Sequence, residues 1–284
     1  ASDVYKRQKS GYMYNQNQIR MCNGYWGSRI EFEMCDEFKN GRITIDIRVM
    51  PEIIKIMSMA RKEKNVYDAV KSVYTYFVKN FDYAYNLGTD LKYHSAVSVF
   101  MYKKSVCEGF ALAFANVLNR LGIPCGIVNG SSSFDGTFGA HAWNIVESDR
   151  KYYHLDVTWD ICTKEKGIDT FDYFWLDDKL VRKDHQWNDP SIPAASDSTK
   201  EFYTKNERCC INERECVSVI VAGLRQKKTN ISFRFIGNNC QNVIESQNLE
   251  RLFECAAKRC HLDYHSVSLL VNSTGGIVHF SLNY

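Results

Sequence analysis

The stretch CEGFALAFANVLNRL, residues 107–121, decides the fold, and Gly122, Ile123 and Pro124 follow it. Its side chains are apolar or small on nearly every face of a helical projection, which is typical of a largely buried helix. A glycine and a proline directly after such a segment are typical of a helix C-cap and stop. The pattern therefore predicts a buried helix with Cys107 at its N-terminus.

A thiol at a helix N-terminus is well placed for nucleophilic chemistry. The thiolate is the nucleophile, and the free N–H groups and macrodipole of a helix N-terminus stabilise negative charge, as does a neighbouring imidazolium. The N–H group of Cys107 would also point at a developing oxyanion. Taken alone, a single cysteine at the start of a buried helix is more often inert packing, so the prediction depends on its partners.

The partners come from two alternating segments, residues 141–146 and 151–159, which predict the strands of a hairpin. A turn at Ser148-Asp149 makes His141 face Asp156 across that hairpin. Side chains directly opposite on one face have Cβ atoms about 4.5–5.5 Å apart, which suits a hydrogen bond between imidazole and carboxylate. The sequence therefore predicts a shared site for these two side chains.

Cys107, His141 and Asp156 are thus predicted to be a nucleophile, a general acid/base and an orienting carboxylate. Asp160, four residues after Asp156, is the rival carboxylate and ranks below it. His154 lies nearer the predicted turn and is interpreted as structural.

Other aromatic side chains near the site are interpreted as packing. Trp143 and Trp159 are expected to pack the core beside the cleft. His185 and Trp187 are expected in a surface segment that closes the site.

Three blocks in this order, SVCEGFALAFANVLNRLGIP (105–124), GAHAWNIV (139–146) and KYYHLDVTWD (151–160), resemble the transglutaminase-like superfamily. The resemblance spans residues 65–190, under half of the chain. It implies a papain-like α+β fold, in which the helix carrying the cysteine packs on an antiparallel sheet, and a catalytic triad on Cys107, His141 and Asp156.

The HAWN and DVTWD forms are more similar to the bacterial and kyphoscoliosis-peptidase-like hydrolase branch than to the calcium-regulated crosslinking enzymes. No acidic cluster has the spacing of a calcium loop. The chain departs from many relatives at Phe110, where they have tyrosine, and this hydroxyl is outside the triad. The motif does not fix a second oxyanion donor, for which His94, thirteen residues before Cys107, is a positional candidate.

The rest of the chain predicts three regions. Residues 1–60 are expected to be an N-terminal β-hairpin segment, with strands in 29–49, a turn at Asn40-Gly41 and Pro51 ending the second strand. Residues 61–200 form the predicted catalytic domain, whose first helix runs from Asn65 to about Asn80. Residues 201–284 predict a small ββαββ-type unit, with strands at 217–223, 231–236, 266–271 and 277–282 and a helix at 249–260.

Composition excludes several classes of protein. Of the 284 residues, 45% are hydrophobic, which is enough to bury a core, and the net charge is +3. No basic run exceeds two residues, so nucleic acid is not an expected partner. No apolar run approaches the roughly 20 residues of a membrane span. No signal peptide is visible, so we expect a soluble chain, either cytoplasmic or exported with its signal missing. Because eleven cysteines are an odd number, at least one thiol is unpaired within the monomer.

The sequence therefore predicts a cysteine-dependent enzyme that hydrolyses peptide or protein amides through a thioester, with cell-envelope protein as one candidate substrate. A protein-glutamine crosslinking transferase and a catalytically idle binding module are the alternatives. Neither a cofactor nor a metal is expected. Bridges, where cysteines pair, are expected to brace the C-terminal unit.

Overall fold

Two compact units make up the part of the chain that the computed structural model describes. The described residues are 19–24, 27–32, 42–86, 90–133, 136–164, 170–262 and 264–284, with side chains from residue 48 onward. One unit comprises Ala1–Lys164 and Tyr173–Asp197, and the other comprises Glu165–Asp172 and Ser198–Tyr284. The three-part domain division expected from the sequence stays a prediction.

The first unit combines helices with an antiparallel sheet. Its helices are α1 (Arg42–Ala60), α2 (Val66–Asn80), α3 (Ala96–Tyr102), α4 (Cys107–Arg120), α5 (Val157–Lys164) and α6 (Asp178–Val181), with a 3-10 turn at Leu91–His94. Its strands are β1 (Ile19–Gly24), β2 (Gly27–Phe32), β3 (Asp82–Tyr83), β4 (Lys104–Ser105), β5 (Cys125–Ser132), β6 (Gly139–Ser148), β7 (Lys151–Leu155), β8 (Phe174–Leu176) and β9 (His185–Gln186). Five of them form a sheet in the order β8-β7-β6-β5-β9, antiparallel throughout.

Helix α4 is the centre of the first unit, as its sequence predicts. Phe110, Phe114 and Leu118 are fully buried, and the helix packs against β5 and β6. On α2, the rings of Tyr74 and Phe77 lie 5.9 and 5.3 Å from the ring of Phe114. The predicted α+β fold, with a buried cysteine-bearing helix on an antiparallel sheet, is confirmed.

The hairpin of β6 and β7 has a different register from the predicted one. Ser148 pairs with Lys151, so the turn consists of Asp149 and Arg150 rather than Ser148-Asp149. Both turn residues have positive φ, 53° and 61°, as a type I′ turn requires. The register moves by two residues, which keeps each side chain on its predicted face. Strand β7 also ends at Leu155, and α5 replaces the rest of the predicted strand.

Residues 43–49 were predicted to be a strand and instead lie in helix α1. Four side chains along this helix are fully buried at spacings of four, three and four: Val49, Ile53, Ile56 and Ala60. That spacing is helical, and it becomes visible only when the window extends beyond residue 50. Pro51 therefore lies inside a helix and does not end a strand. The predicted turn at Asn40-Gly41 lies outside the described residues.

The second unit is a four-stranded sheet with helices. Its helices are α7 (Phe202–Lys205), α8 (Glu213–Arg225), α9 (Cys240–Val243) and α10 (Ser246–Cys260), and its strands are β10 (Cys209–Cys210), β11 (Asn230–Phe235), β12 (Ser266–Asn272) and β13 (Ile277–Asn283). The strand order is β10-β11-β13-β12. The predicted strands over 231–236, 266–271 and 277–282 and the predicted helix over 249–260 correspond to β11, β12, β13 and α10.

The predicted strand over residues 217–223 is wrong, because these residues belong to helix α8. Asn212 caps this helix by accepting a hydrogen bond from the N–H group of Glu215 at 3.0 Å. The buried side chains follow a helical stripe that outweighs the strand preference of the β-branched residues: Cys216, Val217, Ile220 and Leu224. The unit is therefore not of the ββαββ type.

Within the described residues, no helix has the length and apolar character needed to cross a membrane. The nine cysteines whose side chains the structure describes all carry free thiols, those of the second unit included. The expected bridges of the C-terminal unit are thus not formed among them.

Candidate active site

Cys107 is the first residue of α4, as predicted. Gly109 allows this end of the helix to lie close to the preceding chain, because a Cβ atom there would be 2.0 Å from Ser105 Oγ and 2.8 Å from the carbonyl oxygen of Ser95. The side chain of Cys107 is half-buried. The thiol is therefore held at a tightly packed helix N-terminus and is still accessible to a ligand.

Asp156 joins β7 to α5, and its two carboxylate oxygens have different partners. Oδ1 caps α5 by accepting hydrogen bonds from the N–H groups of Thr158 at 2.9 Å and Trp159 at 3.3 Å. Oδ2 lies 2.5 Å from Nε2 of His141 and 3.0 Å from Nε2 of His185. The helix cap thus fixes the carboxylate and leaves Oδ2 to the two imidazoles.

His141 links this carboxylate to the thiol. Although the two-residue change of register makes Asp156 a diagonal neighbour of His141, the imidazole is long enough to reach it. Cys107 also interacts with this ring and contributes to raising the pKa of His141. The structure therefore brings Cys107, His141 and Asp156 together, as the sequence predicts for their positions.

The charges of this group stabilise one another. Burial disfavours the charged imidazolium, but the charge and hydrogen bond of Asp156, followed by the contact with Cys107, outweigh it and raise the pKa of His141 to about 10. Burial also opposes ionisation of Asp156, yet His141 and His185 hold the pKa of its carboxyl well below the usual range. At neutral pH the two side chains therefore form a buried ion pair.

His185 is a second histidine on Asp156, and the sequence reasoning misplaced it. It is fully buried on β9, where it pairs with Ser132 of β5, and is not part of a surface segment. Its Nδ1 lies 2.6 Å from Oδ1 of Asp184. Because both ring nitrogens face carboxylates, both donate, and these carboxylates outweigh burial to raise the pKa of His185. The adjacent residues Asp184 and His185 are visible in the sequence as a possible hydrogen-bonded pair. The pairing of their strand with β5 is not visible there.

His154 and Asp160 lie outside this network. Nδ1 of His154 accepts a hydrogen bond from the Nε1–H group of Trp143 at 3.0 Å, and its Nε2 donates to Asp178 at 2.9 Å. Burial lowers the pKa of His154 against the opposing effect of Asp178, so this ring is neutral. The carboxylate of Asp160 is fully buried and accepts a hydrogen bond from the hydroxyl of Tyr74. Both side chains therefore stabilise the surrounding fold through these hydrogen bonds.

Two side chains lie around the helix end that carries the thiol. Nδ1 of His94 is 2.8 Å from Oε2 of Glu108, the residue after Cys107, and its role as an oxyanion donor stays a prediction. Tyr83, which the sequence reasoning did not identify, is half-buried. Burial, followed by the charge of Cys107, raises the pKa of its phenol, which therefore remains a hydrogen-bond donor.

Ligand-type atoms of His141, Asp156 and His185 lie within 4.8 Å of one another. A histidine binds a metal through a nitrogen lone pair. In both rings the nitrogen that faces Asp156 is a hydrogen-bond donor to the carboxylate. The arrangement is therefore that of a hydrogen-bonded relay.

Part of the chain is similar to known proteins. Residues 56–157 match the family model of the transglutaminase-like superfamily. Among solved structures, one described as a TGase is 19% identical over 49% of this chain and 43% of that chain, with a TM-score of 0.37. Another, described as a "putative cysteine protease" from Cytophaga hutchinsonii, is 20% identical over 39% of this chain and 42% of that chain, with a TM-score of 0.32. The alignments thus span less than half of either structure, and no curated protein matches the chain.

The family match contains the start of α4, the HAWN strand and the DVTWD aspartate, which carry Cys107, His141 and Asp156. The segment from residue 56 to residue 157, which contains Cys107, His141 and Asp156, is therefore similar to the transglutaminase-like superfamily.

Proposed function

We propose that the chain is a cysteine-dependent acyl-transfer enzyme that hydrolyses peptide or protein amides through a thioester on Cys107. The observation that carries the proposal is that His141 lies 2.5 Å from Asp156 and also interacts with Cys107 at the start of α4. A nucleophile, an acid/base group and a carboxylate that orients it are the parts that covalent acyl transfer needs.

The first half of the reaction forms the acyl-enzyme. The Cys107 thiolate attacks the amide carbonyl carbon, a C–S bond forms, and the carbonyl oxygen becomes an oxyanion. The N-terminal N–H groups of α4, which have no acceptor within the helix, stabilise this charge. The C–N bond then breaks as the His141 imidazolium gives its proton to the leaving amine.

The second half releases the acid. Neutral His141 takes a proton from water, whose oxygen attacks the thioester carbonyl, and the C–S bond breaks to return the thiolate and the imidazolium. Asp156 stabilises the imidazolium and holds the ring at 2.5 Å. His185 contacts the same oxygen, Oδ2 of Asp156, and is a positioning residue, since it is fully buried and contacts the carboxylate rather than the thiol.

Hydrolysis and amine transfer share the acyl-enzyme and differ only in the nucleophile that resolves it. The similarity of the HAWN and DVTWD blocks to the hydrolase branch supports water in this role. Peptide or protein amides are the proposed substrate class, with cell-envelope protein as one candidate.

Thiol labelling tests whether the site is catalytic. With limiting iodoacetamide, Cys107 is expected to react faster than Cys255, a half-buried thiol on α10 that serves as internal reference. The difference should be present at pH 6–7 and be lost in His141→Ala, because the imidazolium that stabilises the thiolate is gone. Equal labelling of both thiols in the wild type would refute an active nucleophile.

Mass spectrometry of a peptide library, incubated with and without a primary amine, tests the reaction. We expect cleaved backbones in both samples and no product with Cys107→Ala. Amine adducts without cleavage would establish a transferase, and deamidated glutamine alone would establish a deamidase. No product at all from the wild type would support an idle binding module.

A further inference from the structure

We propose that the second unit binds an extended, basic polypeptide segment in a groove between helix α10 and the edge strand β12. The groove has a volume of about 460 Å³. One wall carries Glu250 and Glu254 of α10, and the other carries Val267 and Leu269 of β12. None of the residues proposed for catalysis lines it, so this binding function goes beyond the amide hydrolysis proposed above.

The strand that forms one wall has an unpaired edge within the described sheet. Strand β12 is last in the order β10-β11-β13-β12 and pairs with β13 on one side. Its first three residues, 266–268, are exposed, whereas most of β13 is buried. An edge strand presents a row of N–H and C=O groups to which an extended chain can add. The groove therefore has a main-chain template along one wall.

The wall of the groove that β12 forms is apolar. Val267 and Leu269 point to the same face of the sheet, because side chains alternate along a strand. Leu269 pairs with Phe280 of β13, and Phe253 of α10 also lines the groove. Val267 is 36% exposed, so helix α10 does not cover this end of the sheet. A segment added to β12 would place every second side chain against this apolar surface.

The helix wall determines the charge of the occupant. Glu250 and Glu254 are exposed and one helical turn apart. Like charges at this spacing destabilise a helix, so a cation between them is favoured. Among the described residues, no lysine, arginine or histidine lines the groove. The occupant that fits is therefore an extended segment with lysine or arginine at every second position, whose aliphatic stems lie on the apolar surface and whose charged ends lie between the two glutamates.

Fluorescence anisotropy with a labelled ten-residue peptide of alternating valine and lysine tests the proposal. The full chain is used as Cys107→Ala, so that the peptide is not consumed and binding is independent of catalysis. We expect saturable binding that weakens by about tenfold in Glu250→Lys/Glu254→Lys, from two reversed charges at the rim. The matched control, Glu63→Lys/Glu207→Lys, makes the same change of charge at two other exposed sites and should bind as the parent does.

Two further peptides separate the parts of the proposal. Methylation of alternate backbone nitrogens keeps the side chains and removes main-chain donors, so it should abolish saturable binding. A valine–glutamate peptide should bind more weakly than the valine–lysine peptide. Equal binding of the methylated peptide, equal binding of the acidic peptide, an equal loss in the control variant, or no saturable binding by the parent would each overturn the proposal.

Discussion

At the residue scale, the charge of Asp156 governs the protonation of His141. In the proposed reaction His141 gives its proton to the leaving amine, and its pKa is raised to about 10, so kcat/KM should fall at alkaline pH near that value. Asp156→Asn removes the charge that raises this pKa, and the alkaline limb should move down toward 6.5, the ordinary value for histidine. We expect kcat to fall by about 10²- to 10⁴-fold, measured as pH–rate profiles of both proteins.

Asp160→Asn is the matched control for this experiment. It neutralises a second fully buried carboxylate, four residues away, that contacts Tyr74 and not His141. Its alkaline limb should coincide with that of the wild type, even where stability is lower. An Asp156→Asn enzyme with an unmoved limb would show that Asp156 does not set the protonation of His141.

His185 should affect turnover and not substrate binding. His185→Gln keeps a donor near Asp156 but removes the positive charge, so the carboxylate is held less firmly. A displacement of catalytic groups by about 1 Å can cost about 10²-fold, and we expect kcat to fall by about 10- to 100-fold with KM unchanged. His154→Gln is the control, since His154 is equally buried and bonds Trp143 and Asp178 instead. A change in KM alone, or equal losses of kcat in both variants, would contradict the positioning role.

The difference between these residues shows what the sequence could reveal about the site. Cys107, His141 and Asp156 lie in short blocks whose spacing indicates their relation, and a register error of two residues left them on one face. His185 reaches Asp156 only because β9 pairs with β5, a contact between Ser132 and His185 that no local pattern encodes. Local patterns thus predicted the three proposed catalytic residues and missed the long-range support.

At the element scale, the approach of β9 to β5 depends on Gly130. A Cβ atom there would lie 2.1 Å from the carbonyl oxygen of Gln186, so Gly130→Ala must displace β9 and His185 with it. We expect an overpacking cost of about 1–3 kcal/mol in the free energy of unfolding, measured with urea, together with a lower kcat. Gly139→Ala, on neighbouring β6, adds a Cβ with nothing within 4 Å and should change neither. Equal behaviour of the two variants would argue against the close approach.

Helices and strands were predicted correctly where the local signals in the sequence agreed with one another. Helix α2 combines an apolar stripe with the Asn65 cap, which accepts from the N–H group of Asp68 at 2.9 Å. Residues 43–49 and 217–223 failed because runs of isoleucine and valine favour strands locally, while packing over several turns determines the helix. For these two segments the decisive free energy comes from tertiary burial, which a short window does not contain.

At the scale of the whole molecule, a buried polar cluster ties residue 172 to the second unit. Oδ2 of Asp172 lies 3.0 Å from Nε2 of His279, and the hydroxyl of Tyr203 donates to Oδ1 at 2.6 Å. Arg234 donates to the carbonyl oxygen of Asp172 at 3.2 Å and to Glu201 at 3.3 Å. Burial opposes ionisation of Asp172, but His279, Tyr203 and Arg234 hold its pKa below the ordinary value. The cluster therefore holds Asp172, which is remote in sequence, against strands β11 and β13, which carry Arg234 and His279.

Asp172→Asn should destabilise the second unit by about 1–3 kcal/mol, because it removes the buried carboxylate that contacts the hydroxyl of Tyr203 and Nε2 of His279. All five tryptophans precede residue 188, so tryptophan fluorescence reports the first unit, whereas far-UV circular dichroism also follows α8 and α10. In urea, the dichroism midpoint should therefore fall while the fluorescence midpoint stays, and Asp189→Asn, an exposed carboxylate of the first unit, should move neither. The loss should shrink as the pH falls below 3.8, since a depressed pKa stabilises the fold only while the carboxylate is ionised. If both midpoints fall together, the two units unfold as one.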